Sequence, residues 1–164
     1  MSRHPPRLAT FSYIGIYRYS LTLCVAERRT VFIEPDPVNE ALEVIVRLAA
    51  SEQFAVTAYC FMPDHLHLLV EGKTDVSNLM TFAHQLKQHT EFSYRRRWHR
   101  RLWQRGYYEH AVRNDEATLV VARYILANPV RAGLAREPRE YSFAGSLVFD
   151  RGQLEDLWRV NGAS

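Results

Sequence analysis

The chain has 164 residues, 47% of them hydrophobic and 24% charged, with a formal net charge of +3. These are ordinary globular values, and the length suits one domain, 1–164, that buries a core without staples. No apolar run approaches the ~18–20 residues of a membrane helix, the N-terminus lacks a signal-peptide core, and Cys24 and Cys60 have no CxxC or zinc-ribbon spacing. The expectation is a soluble cytoplasmic protein with two reduced, buried thiols and no membrane partner.

From Met1 to about Thr10 the chain carries Arg3, His4, Arg7 and Pro5-Pro6 without periodicity, which reads as a mobile basic tail. Residues 1–16 and 146–164 are expected to be peripheral. Strict alternation then sets Tyr17, Tyr19, Leu21, Leu23 and Val25 against Arg18, Ser20, Thr22 and Cys24, a strand with one apolar face. Asp36-Pro37 reads as a helix start, with Val38, Ala41, Leu42, Ile45, Leu48 and Ala49 on one buried stripe. A second strand is expected over Phe54–Met62, with Phe54, Val56, Ala58, Cys60 and Met62 toward the core and Thr57, Tyr59 and Phe61 opposite.

A turn at Pro63-Asp64 opens the next strand, and the pair should form a hairpin. Here Leu66, Leu68 and Val70 take one face, while His65 and His67 take the other, about 6.6–6.8 Å apart along the strand. Two neutral imidazoles at that spacing suit a shared divalent ion; the plain alternative is two polar residues on a solvated sheet face. Thr74 or Asp75 then caps a second helix with Val76, Leu79, Ala83, Leu86 and Thr90 inward.

The end of that helix runs into Arg95-Arg96-Arg97-Trp98-His99-Arg100-Arg101-Leu102-Trp103-Gln104-Arg105. Arginines bind phosphates bidentately and tryptophans stack unpaired bases, so Arg95, Arg96, Arg97, Trp98, Arg100, Arg101, Trp103 and Arg105 are expected to bind DNA. Lys73, Lys87 and Arg131 are lesser candidates for backbone contacts, and a solvated helix end is the alternative for the arginine run. Tyr107–Arg113 is a weaker strand. Asn114-Asp115 caps a third helix through Ala127, stopped by Pro129, whose apolar excess suggests that more than one face is buried.

Four strands and two helices in this split βαβ order indicate an α+β, ferredoxin-like antiparallel sheet, with an added C-terminal helix carrying Tyr124. Tyr124 and Asn128 lie one turn apart. A tyrosine hydroxyl is a nucleophile for phosphorus when activated, and the Asn128 amide oxygen is a plausible third ligand beside the imidazoles. Spacing alone leaves Tyr94, Tyr107, Tyr108 and Tyr141 as rival nucleophiles. Leu154, Leu157 and Trp158 suit either a short amphipathic docking segment or an ordinary terminal helix.

Met62-Pro63-Asp64-His65-Leu66-His67-Leu68-Leu69-Val70 resembles the His-hydrophobic-His (HUH) signature of single-strand DNA transposases that use one catalytic tyrosine. The segments Trp103–Arg113 and Tyr124-Ile125-Leu126-Ala127-Asn128-Pro129-Val130-Arg131-Ala132-Gly133-Leu134 resemble one branch, the REP-associated tyrosine transposases. The likeness covers roughly Tyr17 to Phe143. It implies that His65 and His67 hold Mg²⁺ or Mn²⁺, that Asn128 occupies the third-ligand position, and that Tyr124 is the nucleophile. It further implies nicking and strand transfer on single-stranded hairpin DNA through a 5′-phosphotyrosyl intermediate, by a monomer or homodimer at the bacterial nucleoid. Two alternatives stand beside it: a non-catalytic, domesticated nucleic-acid-binding module of the same fold, and a metal hydrolase in which Tyr124 is structural.

Overall fold

The computed structural model describes residues 12–159, so the basic tail expected at Met1–Thr10 and the last five residues lie outside the described part. In chain order the elements are β1 (Arg18–Cys24), α1 (Pro35–Ser51), β2 (Phe54–Met62), β3 (His65–Gly72), α2 (Leu79–Trp98) and β4 (Tyr108–Val112). There follow α3 (Asp115–Leu126), α4 (Asn128–Arg131), β5 (Ala144–Gly145) and α5 (Arg151–Arg159). All strand pairings are antiparallel, in the order β4-β1-β3-β2-β5. The first four strands form the expected ferredoxin-like sheet, and β5 adds a short edge beside β2.

Each sheet face carries its own core. On one, Leu21, Leu23, Leu66, Leu68 and Val70 meet Val38, Ala41, Ile45 and Leu48 of α1 and Phe82 and Leu86 of α2. On the other, Ala58, Cys60, Met62 and Leu69 meet Ala122, Ile125 and Leu126 of α3 and Leu154 and Leu157 of α5. The terminal amphipathic segment is thus a docked helix, and Arg123 Nε donates to the Leu157 carbonyl across that contact at 3.1 Å.

Alternation misassigned half of β2. The register slips between Val56 and Ala58, and this bulge at Thr57 reverses the facing of the residues after it. Phe54, Val56 and Phe61 enter the α1/α2 core, with Tyr59 packed against it, while Ala58, Cys60 and Met62 enter the α3 core. Tyr59 and Phe61 are therefore absent from the histidine face, contrary to expectation. The small Ala58 and Cys60 lie where α3 crosses the sheet.

Helix boundaries also differ in detail. α1 begins at Pro35 with Glu34 at the N-cap, leaving Asp36 in the first turn, where its charge favours the helix dipole. α2 is capped by Asn78, whose side chain accepts from the Thr81 N–H at 3.2 Å, rather than by Thr74 or Asp75; Val76 lies outside the helix and is 73% exposed. Asn114 caps α3 as expected, accepting from the Ala117 N–H at 2.8 Å. That helix buries one face, with Val120 and Tyr124 on its open side. Pro129 does not end the helical path but sits at the start of α4, where its missing N–H costs nothing.

Candidate functional site

Neighbouring strands bring Thr22, Cys24, Cys60 and Met62 beside the histidines: Thr22 pairs with His67 and Cys24 with His65 on one side, Cys60 with His67 and Met62 with His65 on the other. The two imidazoles stand nearly perpendicular, with an interplanar angle of 88° and centroids 4.7 Å apart. Their Nε2 atoms face each other at 3.1 Å. Both Nδ1 atoms are engaged, His65 with Asp64 Oδ1 at 2.6 Å and His67 with Thr22 Oγ1 at 3.0 Å. With both Nδ1 atoms acting as donors, both Nε2 lone pairs point into one gap, an arrangement that a cation relieves.

The electrostatics keep His67 neutral. Burial, reinforced by His65, Arg131 and Arg28, pushes His67 down to about 4. Burial alone would raise the Asp64 carboxyl, but its bond with His65 and the charge of Arg28 outweigh this and hold it below the usual range. Cis ligands of an octahedral ion at ~2.1 Å lie about 3.0 Å apart, so the imidazoles fit a small divalent ion. Among the described residues no cluster of three or more His, Cys, Asp or Glu is placed to hold a metal.

Tyr124 is 61% exposed on α3. The Arg131 guanidinium lies 3.8 Å from its ring centroid and donates to its carbonyl at 2.6 Å. Arg131 also contributes positive potential at His67, so this arginine links tyrosine and histidines electrostatically. No hydrogen bond joins Tyr124 or the half-buried Asn128 side chain to either histidine among the described residues. Of the rival tyrosines, Tyr94 is buried and stacked on Trp98, and the Tyr107 hydroxyl donates to Met80 Sδ. Tyr141 donates to the Phe61 carbonyl at 2.6 Å, and burial pushes it up to about 12. Tyr108, opposite Thr22 on β4, shares the histidine face and is the remaining competitor.

The arginine-rich segment divides by environment. Arg97 pairs with Asp36 and Glu40, and Arg95 with Glu91 at 2.6 Å. Arg96, Arg100, Arg101 and Arg105 are exposed. Trp98 is partly exposed and stacks on Tyr94, with centroids 4.7 Å apart and an interplanar angle of 23°. Trp103 is instead 2% exposed, and its indole N–H donates to Thr90 Oγ1 at 2.8 Å. A ring so enclosed is core and has no face open to a base, which corrects its assignment as a stacking residue. Lys87 donates to the carbonyls of Gln104 and Gly106 at 2.7 and 2.6 Å and so braces the loop. Asp64 was legible only as a turn residue, and nothing in the local sequence marked Arg28.

Residues 15–128 match the family model described as "Transposase IS200 like". A Haemophilus influenzae chain assigned as a REP-associated tyrosine transposase is 28% identical over 145 residues, covering 82% of this chain and 81% of that one. The REP-associated tyrosine transposase of Escherichia coli K12 is 26% identical over 122 residues, covering 73% and 68%. The solved structure of a REP-associated tyrosine transposase bound to a REP hairpin aligns with a TM-score of 0.70 and 19% identity over 88% of this chain and 82% of that one; at that identity it establishes likeness of fold. No helix among the described residues is long and apolar enough to cross a membrane. With the family match running from before β1 to the start of α4, the chain belongs to the IS200-like transposases.

Proposed function

We propose that the chain nicks and rejoins single-stranded DNA at a hairpin, with Tyr124 as nucleophile and Mg²⁺ or Mn²⁺ held by His65, His67 and Asn128. The observation that carries this reading is the pair of Nε2 atoms facing each other at 3.1 Å with both Nδ1 atoms engaged. The hairpin as substrate is taken from the structural relative, which is bound to a REP hairpin.

A bound ion would supply Lewis-acid polarisation of the scissile phosphate and stabilisation of its developing charge. The Tyr124 oxygen bonds to phosphorus as the bond from phosphorus to the 3′ oxygen breaks. The phenol proton passes to solvent, and the leaving oxygen takes up a proton to become a 3′-hydroxyl. Attack by another 3′-hydroxyl reverses these steps and joins strands without ATP. Arg131, against the Tyr124 ring, is placed to receive the phosphate beside the nucleophile. Trp98 and the exposed Arg96, Arg100, Arg101 and Arg105 bind the flanking strand.

The test incubates single-stranded hairpin DNA from repeats flanking the gene with the protein and Mn²⁺ or Mg²⁺. Products are read by denaturing gel and mass spectrometry, with Tyr124→Phe, Tyr108→Phe and His65→Ala in parallel. The expected result is a metal-dependent covalent adduct lost in Tyr124→Phe and His65→Ala and retained in Tyr108→Phe. Cleavage without adduct would replace this mechanism by hydrolysis. Tight binding with neither product would leave a recognition module.

A further inference from the structure

After β1 the chain makes a 3-10 turn at Ala26–Arg28, in which Glu27 and Arg28 have φ of 58° and 52°. Two consecutive residues with side chains in this left-handed region are uncommon and persist only where their surroundings hold them. Here the surroundings are the Pro63-Asp64 turn. Val25 N donates to the Asp64 carbonyl at 2.9 Å and Phe32 N to the Pro63 carbonyl at 3.0 Å, fastening the loop to the turn on both sides. Between those fastenings Arg28 reaches back across the strand end. Its Nε lies 2.9 Å from Asp64 Oδ2, and its Nη1 donates to Cys24 Sγ at 2.9 Å. The other Asp64 oxygen engages His65 Nδ1.

We infer that Arg28 is a positioning residue for the histidine pair. Its guanidinium fixes the plane of the Asp64 carboxylate, which holds the proton of His65 on Nδ1 and leaves Nε2 open toward His67. The unusual backbone is what directs the arginine to that carboxylate. Partners one step behind a metal-binding imidazole set its tautomer and ring orientation, and their loss typically weakens metal binding about 10–100-fold. Arg28 acts one step further out, so a loss of about 3–10-fold is expected. The metal arm of the test rests on the proposed function; the tautomer arm does not.

The discriminating variant is Arg28→Gly, because glycine adopts positive φ freely. Were position 28 important only for its backbone conformation, this variant would keep all site properties, and were the arginine only a structural tie, the thermal midpoint would fall with the His65 nitrogen shifts unaltered. The inference predicts an unchanged or higher midpoint, a His65 shift toward mixed Nδ1–H and Nε2–H tautomers in long-range nitrogen NMR of the metal-free protein, and Mn²⁺ affinity lowered about 3–10-fold by electron paramagnetic resonance. Arg28→Lys should recover part of both properties. Unaltered His65 nitrogen shifts in Arg28→Gly would overturn the inference whatever the metal result. Absence of Mn²⁺ binding by the unmodified protein would instead overturn the metal reading and leave the tautomer arm to decide the role of Arg28.

Discussion

Glu91 offers the sharpest test of how the arginine-rich segment is held. Its Oε2 accepts from the backbone N–H groups of Leu102 and Trp103, both at 3.0 Å, and its Oε1 accepts from Arg95 Nε at 2.6 Å. Leu102 and Trp103 are each 2% exposed, so Glu91→Ala leaves two amides at a largely buried position without their acceptor. Each such loss costs ~1–3 kcal/mol. With the Glu91 side chain 23% exposed, water recovers part of this, and the sum falls at about 2–4 kcal/mol. The ion pair with the more exposed Arg95 adds at most ~0.5 kcal/mol. Glu91→Gln keeps one acceptor oxygen and should lose only about 0.5–1.5 kcal/mol.

The effect has a pH signature. Burial opposes ionisation of Glu91, but Arg95 and the two amides outweigh it and hold the carboxyl below its ordinary value of 4.5. Between the folded and unfolded values the unfolded chain binds more protons, so stability rises with pH there. The contribution of Glu91 is complete above 4.5 and is lost as pH falls through the folded value. Urea unfolding followed by tryptophan fluorescence should show a gap between unmodified protein and Glu91→Gln that is constant near neutrality and closes in acid. A Glu91→Ala stability within ~0.5 kcal/mol of the parent at neutral pH would refute the reasoning.

Trp103→Phe should cost about 1–2 kcal/mol, from a lost hydrogen bond and a smaller ring, while leaving hairpin affinity of the folded protein unchanged. Trp98→Ala should weaken that affinity about 5–100-fold, the worth of one stacked base; anisotropy titration alongside urea melts separates the two. Gly72→Ala should cost ~2–3 kcal/mol, because a Cβ there would overlap the backbone carbonyl oxygen of Gly15. Gly133→Ala, at φ +74° with open space around it, should cost only about 1 kcal/mol of backbone strain, and thermal melts compare the pair.

What was legible in the sequence followed from local periodicity. Alternation in β1 and β3 assigned their faces correctly because neither strand is interrupted within its pairing to the other, and Asn114 marked the start of α3 because its cap is local. The bulge at Thr57 escaped because an extra residue in a strand leaves no mark in composition; only pairing with β3 exposes it. The cap of α2 was misplaced because Thr74, Asp75, Ser77 and Asn78 are all cap-forming types within five residues. The Thr74 hydroxyl instead bonds Ser77 Oγ at 3.1 Å in the preceding turn. Trp103 was misread because its surroundings in sequence are basic while its surroundings in space are Thr90 and Phe32. The histidine pair was visible from spacing alone, whereas its outer supports at Thr22 and Arg28 come from distant segments and become visible only in three dimensions.

The division of the hydrophobic interior by the sheet has a dynamic consequence. α3 and α5 rest on Ala58, Cys60, Met62, Leu69 and Val112, with no fully buried aromatic among them, whereas α1 and α2, the latter through Phe82, pack with the buried Phe32, Phe54, Phe61 and Trp103. Opening free energy follows buried apolar contact, so the α3/α5 layer forms a weaker cooperative unit than the sheet and can lift while the histidine strand stays folded. The proposed nucleophile thus rides on the layer with the smaller buried apolar cluster, and the proposed metal ligands on the sheet that anchors the larger one. Movement of the tyrosine during strand exchange would leave the metal-binding end of the site undisturbed.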